Sequence, residues 1–153
     1  MRSLNASDPK QFIADFFTSY MGELLRSDGD PALIVDRYHT PDVVQIADGH
    51  RMDRDKLIAH TRPVRKNRPS GRLEVHEALA DGDRIAAHYT LHVRDRKRAL
   101  AVEVYFFGQF TPDGRMRRAK MLTRTIPAAR DGVGVDVAAE NGRPAPDGRE
   151  AGA

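Results

Sequence analysis

The sequence predicts an α+β domain, with three helices gathered ahead of one long, mostly antiparallel sheet. Two observations carry this. From Arg72 to Ile126 four apolar-rich runs follow one another: Leu73–Ala80, Arg84–Arg94, Ala99–Phe110 and Arg115–Ile126. They are separated by Asp81-Gly82-Asp83, by the basic tip Asp95-Arg96-Lys97-Arg98 and by Thr111-Pro112-Asp113-Gly114. Asp-Gly between alternating runs is a hairpin signal, so the four runs form a meander with one face to bury. Upstream, apolar residues recur at helical spacing and supply the material to cover that face.

The elements follow in order. Ser7-Asp8-Pro9 starts a first helix, with an oxygen acceptor at the cap and proline in the first turn. Phe12, Ile13, Phe16, Phe17, Tyr20, Met21, Leu24 and Leu25 form its broad apolar stripe, and Ser27-Asp28-Gly29 ends it. Asp30-Pro31 starts a short second helix, with Leu33, Ile34 and Tyr38 on its apolar side, and Thr40-Pro41-Asp42 breaks it. Val43–Ala47 is a strand, Asp48-Gly49 a turn, and His50–Met52 a stub that pairs back. Asp53 caps a third helix that Pro63 should kink or end. The folded domain is expected over residues 1–126. From Pro127 onward Gly, Ala, Pro and Asp dominate without periodicity, which predicts a disordered tail over 127–153.

Composition narrows the function classes. An apolar share of 40% and a charged share of 31% fit an ordinary globular chain. No apolar run approaches the roughly 18 residues of a membrane span. Met1-Arg2-Ser3-Leu4-Asn5 has no apolar core of a secretory signal, and there is no cysteine, so a cytoplasmic setting is expected. The absence of cysteine also excludes a disulfide framework and a thiolate nucleophile. The net charge is +3. The basic clusters Arg62…Arg65-Lys66…Arg68 and Arg94…Arg98 sit at a helix end and a hairpin tip, with no interleaved aromatics to stack bases. They argue against nucleic-acid binding. No phosphate-binding glycine loop, nicotinamide fingerprint or zinc motif appears, so neither cofactor nor metal is expected.

Several short motifs recur in a telling order. Asp28-Gly29-Asp30 separates the first two helices, and Thr40-Pro41-Asp42-Val43-Val44 enters the first strand. Met52-Asp53-Arg54-Asp55-Lys56-Leu57 opens the third helix, and Phe110-Thr111-Pro112-Asp113-Gly114-Arg115-Met116 makes the last hairpin. In this order, over Asp8 to Ile126, the chain resembles the cone-shaped α+β barrel shared by nuclear transport factor 2, ketosteroid isomerase, scytalone dehydratase and the SnoaL-like polyketide cyclases. The resemblance implies three helices packed on a strongly curved sheet with a ligand cavity inside.

The resemblance also points to residues. In isomerase-like members the general base lies just past the first strand, where Asp48 or its neighbour Ala47 stands here. Half-buried against aromatic rings, Asp48 would have a raised pKa and move protons near neutrality. Its other reading is a type I′ turn residue. Tyr20 lies near the position of the oxyanion-binding tyrosine, or is a core aromatic. His50 follows the turn toward the same mouth, and His39 is a further candidate; a loop histidine is otherwise simply solvated. Phe16, Phe17, Tyr89, Leu91, Val104, Phe106 and Met121 are expected to line the pocket.

The last two strands depart from these relatives. Arg118-Ala119-Lys120-Met121-Leu122-Thr123-Arg124 carries no acid, and Phe106 stands where an isomerase acid would. His88 and His92 share the outer strand face about 13 Å apart, too far for one metal. Glu103, Tyr105 and Phe107 make that outer face oddly apolar, which predicts a homodimer through it. The expected function is a cofactor-independent enzyme of specialised, polyketide-type metabolism. It would perform proton-transfer chemistry (cyclisation, isomerisation, dehydration or epoxide opening) on an apolar small molecule. The alternative is a non-catalytic ligand-binding or dimerisation module.

Overall fold

The computed structural model describes residues 8–26, 28–94 and 98–127. The order is α1 (Pro9–Arg26), α2 (Pro31–Tyr38), β1 (His39–Ala47), β2 (His50–Asp53), α3 (Arg54–Asn67), β3 (Ser70–Asp81), β4 (Arg84–Arg94), β5 (Ala99–Phe110) and β6 (Met116–Pro127). The four-strand meander is present, and β4 and β5 have the predicted bounds. The expected tail falls, from residue 128 on, outside the described residues, and so does the hairpin tip at 95–97.

The six strands form one sheet in the order β2-β1-β6-β5-β4-β3. The join between its two parts is parallel, with β1 lying beside β6, whereas every other pair is antiparallel. The sheet is therefore mixed, and it is open, with β2 and β3 at its edges. Irregularities at Val75/Glu77 and Gln109/Phe110 interrupt the ladders, as bulges do where a sheet bends.

Two sequence expectations need correction. The first strand begins at His39, so Thr40-Pro41-Asp42 belongs to it. Proline is tolerated there because the β1–β6 register shifts between His39 and Val44. Pro63 does not end α3, which runs on to Asn67. The helix closes at Arg68, whose left-handed backbone donates its N–H to Val64 O. Basic residues of that region also make tertiary bonds. Arg65 donates to Leu24 O and Gly29 O, both at 3.0 Å, and Arg68 to Leu25 O at 2.9 Å. Arg65 of α3 and Arg68 at its cap thus satisfy carbonyls at and just past the C-terminal end of α1, where the helix dipole favours positive charge.

The helices cover one face of the sheet. α1 packs against β3, α3 against β1 and β2, and α2 bridges them. Between these layers Phe12, Ile13, Phe16, Ile34, Val35, Val43, Ile85, Tyr89, Val104, Phe106, Phe110 and Met116 form the core. Gly108 lies on the inner face of β5, where the rings of Phe106 and Phe110 occupy the space a Cβ would need. No helix among the described residues is long and apolar enough to cross a membrane.

Candidate functional site

The inner face of the sheet is an aromatic basin. Rows of cross-strand neighbours define it: Ala47, Met121, Phe106, Ala87 and Ala78 in one, Thr123, Val104, Tyr89 and Val75 in the next. The residues expected to line a pocket divide into two groups. Phe16, Tyr89, Val104 and Phe106 are buried in the core, whereas Phe17, Leu91 and Met121, like the candidate donor Tyr20, are only partly buried. Phe17, Tyr20 and Met121, with Met52 and Ile58, pack against the margin of that core. The basin floor is packed, and its rim is where side chains meet solvent.

Two phenols stand out. Tyr89, 5% exposed, has its ring 5.5 Å from Phe17 and 6.3 Å from Phe106. Tyr20 has its ring 4.9 Å from His39 and 5.2 Å from Tyr38. Neither hydroxyl has a hydrogen-bond partner among the described residues. Burial pushes Tyr20 up to about 12 and raises Tyr89 as well, so both stay protonated donors. An unpaired hydroxyl out of water costs about 1–3 kcal/mol, so the one on buried Tyr89 calls for a reason.

The neighbouring polar groups are already occupied. His39 is 2% exposed, and its Nδ1 lies 2.8 Å from Val35 O, which fixes the donor on Nδ1. Burial lowers it to about 4, so the ring is neutral. Tyr38 donates to Glu23 at 2.5 Å, and Arg37 grips the same carboxylate at 2.6 Å. The Tyr38 hydrogen bond, followed by Arg37, holds the Glu23 carboxyl below its usual range. That pair locks α1 to α2. It was not foreseen in the sequence, although Tyr38 stands four residues after buried Ile34.

Asp48 does not have the half-buried, raised-pKa setting expected of it. It occupies an exposed turn at φ 52°, followed by Gly49 at φ 84°, the signature of a type I′ hairpin. Its carboxylate accepts from Thr123 N at 2.8 Å and from Thr123 Oγ1 at 2.5 Å. Those bonds hold its pKa below the ordinary value. Thr123 is two strands from Tyr89, about 10 Å at normal strand spacing. Asp48 therefore sits at the rim as a clasp between the β1–β2 turn and β6. His50, opposite Ala47, is exposed and bonds neither Asp48 nor a tyrosine among the described residues. No aspartate or glutamate is buried among the described residues. No group of three or more potential metal ligands is found among them either.

The outer face carries the polar residues that the inner one lacks. His88 Nε2 lies 2.8 Å from Glu103 Oε2, and its ring stacks on Tyr105 at 4.4 Å. His76 Nε2 meets Thr90 Oγ1 at 2.7 Å, and His92 Nε2 meets Glu74 at 3.0 Å.

Comparison with known proteins agrees with this architecture. The sequence matches the SnoaL-like domain family over residues 13–119. No curated protein matches it. Among solved structures, an LEH-like epoxide hydrolase of M. tuberculosis is similar, with TM-score 0.56 and 16% identity over 74% of this chain and 84% of that one. A protein assigned as a SnoaL-like polyketide cyclase from Shewanella denitrificans gives TM-score 0.56 and 14% identity, covering 75% and 90%. A de novo designed NTF2 fold protein gives TM-score 0.51 and 15% identity, covering 87% and 95%. At such identities the likeness is one of fold.

Proposed function

The chain belongs to the SnoaL-like domain family, and from that premise we propose that its inner basin binds an uncharged, largely apolar small molecule bearing an oxygen acceptor. Tyr20 and Tyr89 donate to that oxygen. The observation that carries this reading is the pair of phenol hydroxyls without partners among the described residues, that of Tyr89 in the core and that of Tyr20 at its margin. A ligand carbonyl, ether or epoxide oxygen would satisfy both. A charged ligand would not be favoured, because no buried cation or anion among the described residues is there to pair with it.

Two phenols on one oxygen also stabilise negative charge as it develops there. Epoxide opening and polyketide cyclisation, the chemistries for which two similar proteins are named, both place such charge on oxygen. The reading is therefore oxygen activation within specialised metabolism, with Tyr20 and Tyr89 as donors. Phe17 and Met121 line the rim. Asp48 is the turn clasp and not the base, since its carboxylate is committed to Thr123.

A second reading is a non-catalytic binding module of the same fold. The lack of a buried carboxylate among the described residues favours it. Both readings share the ligand site, and one experiment tests it. Acetophenone is titrated calorimetrically into wild type, Asp48→Asn and the Tyr20→Phe/Tyr89→Phe double variant. Binding is expected in the first two and about tenfold weaker in the third, the equivalent of about 1.4 kcal/mol. Equal affinity in all three would remove the tyrosines from the site.

A further inference from the structure

The outer face of the sheet holds a cleft that the inner basin does not explain. Its volume is about 500 Å³, within the range of clefts that take one small ligand. The β-ladders set its walls in two rows. Ile46, Lys120, Phe107, Ala86 and Leu79 form one, and Val44, Arg118, Gln109, Arg84 and Asp81 the other. These side chains point away from the helices, because they alternate along their strands with the core residues Ile85, Phe106 and Ala119. Leu79 and Phe107 are 73% and 68% exposed. Leu122 and Tyr105 in the next row are 67% and 51% exposed, so an apolar band continues from the cleft along the face.

The charge of the cleft has one dominant sign. Arg118 and Arg84 flank Gln109 in the second row, about 10 Å apart at normal strand spacing, and Lys120 borders them from the first. None of these three cations has an ion pair among the described residues. The acids of this region do not neutralise them. Asp83 accepts from Gln109 at 2.9 Å, and Asp42, near Arg118, accepts from Thr40 at 2.7 Å. Asp81 is the one acid among the residues that line the cleft. Three cations against one anion, set on apolar walls, make the potential in the cleft positive.

We propose that this cleft binds a single long-chain carboxylate, a fatty-acid anion, with its alkyl chain along Leu79, Ala86, Phe107 and Ile46 and its head between Arg84 and Arg118. Each half of such a ligand meets its complement. The chain covers side chains that otherwise stand in water. The carboxylate accepts from guanidinium groups, whose planar fork matches its two oxygens, and Lys120 adds a further positive charge. A neutral apolar molecule would make no use of the cations, and a small anion would leave the apolar walls wet. The inner basin cannot take this ligand's head, because no cation is buried there among the described residues. The cleft is independent of that basin, since it uses the opposite side chains of the same strands.

Calorimetric titration of dodecanoate, below its micellar concentration, into the full chain tests this site. Wild type should bind it, and should bind decanoate about fivefold more weakly, since two methylenes are then lost from an open cleft. Added salt should weaken binding to wild type, which reads the charge contribution without any variant. Arg84→Gln/Arg118→Gln should bind dodecanoate about tenfold more weakly and lose most of that salt dependence. Both arginines are exposed, so the core is left intact, and an unchanged thermal transition verifies it. Tyr20→Phe/Tyr89→Phe should bind dodecanoate as wild type does, which separates the cleft from the inner basin. A wild type that binds no dodecanoate would overturn the proposal, whether it pellets instead with phosphatidylglycerol vesicles or covers the cleft with another chain. Equal affinity in the arginine variant, or loss of binding in the tyrosine variant, would overturn it as well.

Discussion

His39 shows how burial turns a titratable side chain into a fixed donor. Its ring stays neutral down to about pH 4, whereas in the unfolded chain it takes up a proton near pH 6.5. The folded pKa is lowered, so acidification favours the unfolded state. Stability associated with His39 is full above about pH 6.5 and falls as the pH drops toward 4, by at most about 1.4 kcal/mol per pH unit. His39→Asn, which keeps a donor for Val35 O, should lose this dependence. Denaturant unfolding of both proteins at pH 6.5 and pH 5 measures it; a stability difference between them that does not change with pH would contradict the assignment. Tyr89 makes the opposite kind of prediction. Because its hydroxyl is unpaired, Tyr89→Phe should stabilise the protein by about 1 kcal/mol, at the expense of ligand binding. A loss of stability would mean that the hydroxyl has a partner. The position of Asp48 was legible in the sequence and its environment was not. Asp-Gly fixes the turn, but only the parallel β1–β6 pairing brings Thr123 within reach of the carboxylate.

At the scale of the element, α1 depends on side chains about forty residues away. Its last carbonyls are met by Arg65 of α3 and by Arg68 at the cap of that helix. Arg65→Ala should cost about 2 kcal/mol, because two charge-assisted bonds are lost at once. Arg65→Lys should recover only part of this, since an ammonium cannot reproduce the planar fork. Thermal unfolding of the two variants checks both claims. In β5 the sensitive residue is Gly108. A Cβ there would lie 2.5 Å from Phe106 Cε1 and 2.9 Å from Phe110 Cε1. Gly108→Ala should therefore destabilise by about 1–3 kcal/mol by overpacking. The helices and hairpins were readable because caps, helical stripes and Asp-Gly turns are local signals. The early start of β1 was not, because its partner is Met116, far along the chain. Pro63 does not end α3 for a related reason: tertiary packing and the Arg68 cap hold the helix together past it.

For the whole molecule, the sheet has two faces with different chemistry. The inner face is largely apolar, with the unpaired phenol of Tyr89 on it and that of Tyr20 facing its margin from α1, and the outer face carries the histidines, the glutamates and an exposed apolar band. Strand alternation made this division readable in the sequence: Tyr89 and Phe106 on one side, His88, Tyr105 and Phe107 on the other. What alternation cannot give is the state of each polar group. Tyr20, Tyr38 and Tyr89 read alike as aromatic positions, yet Tyr38 is bonded to Glu23 and the other two are free to donate. That difference is the core of the functional account, and the infrared carbonyl stretch of bound, isotope-labelled acetophenone tests it most directly. If Tyr20 and Tyr89 donate to the ligand oxygen, the stretch lies below its position in an apolar solvent, and the Tyr20→Phe/Tyr89→Phe variant returns it there. A bound carbonyl in wild type that absorbs as it does in an apolar solvent would contradict the assignment of these two phenols.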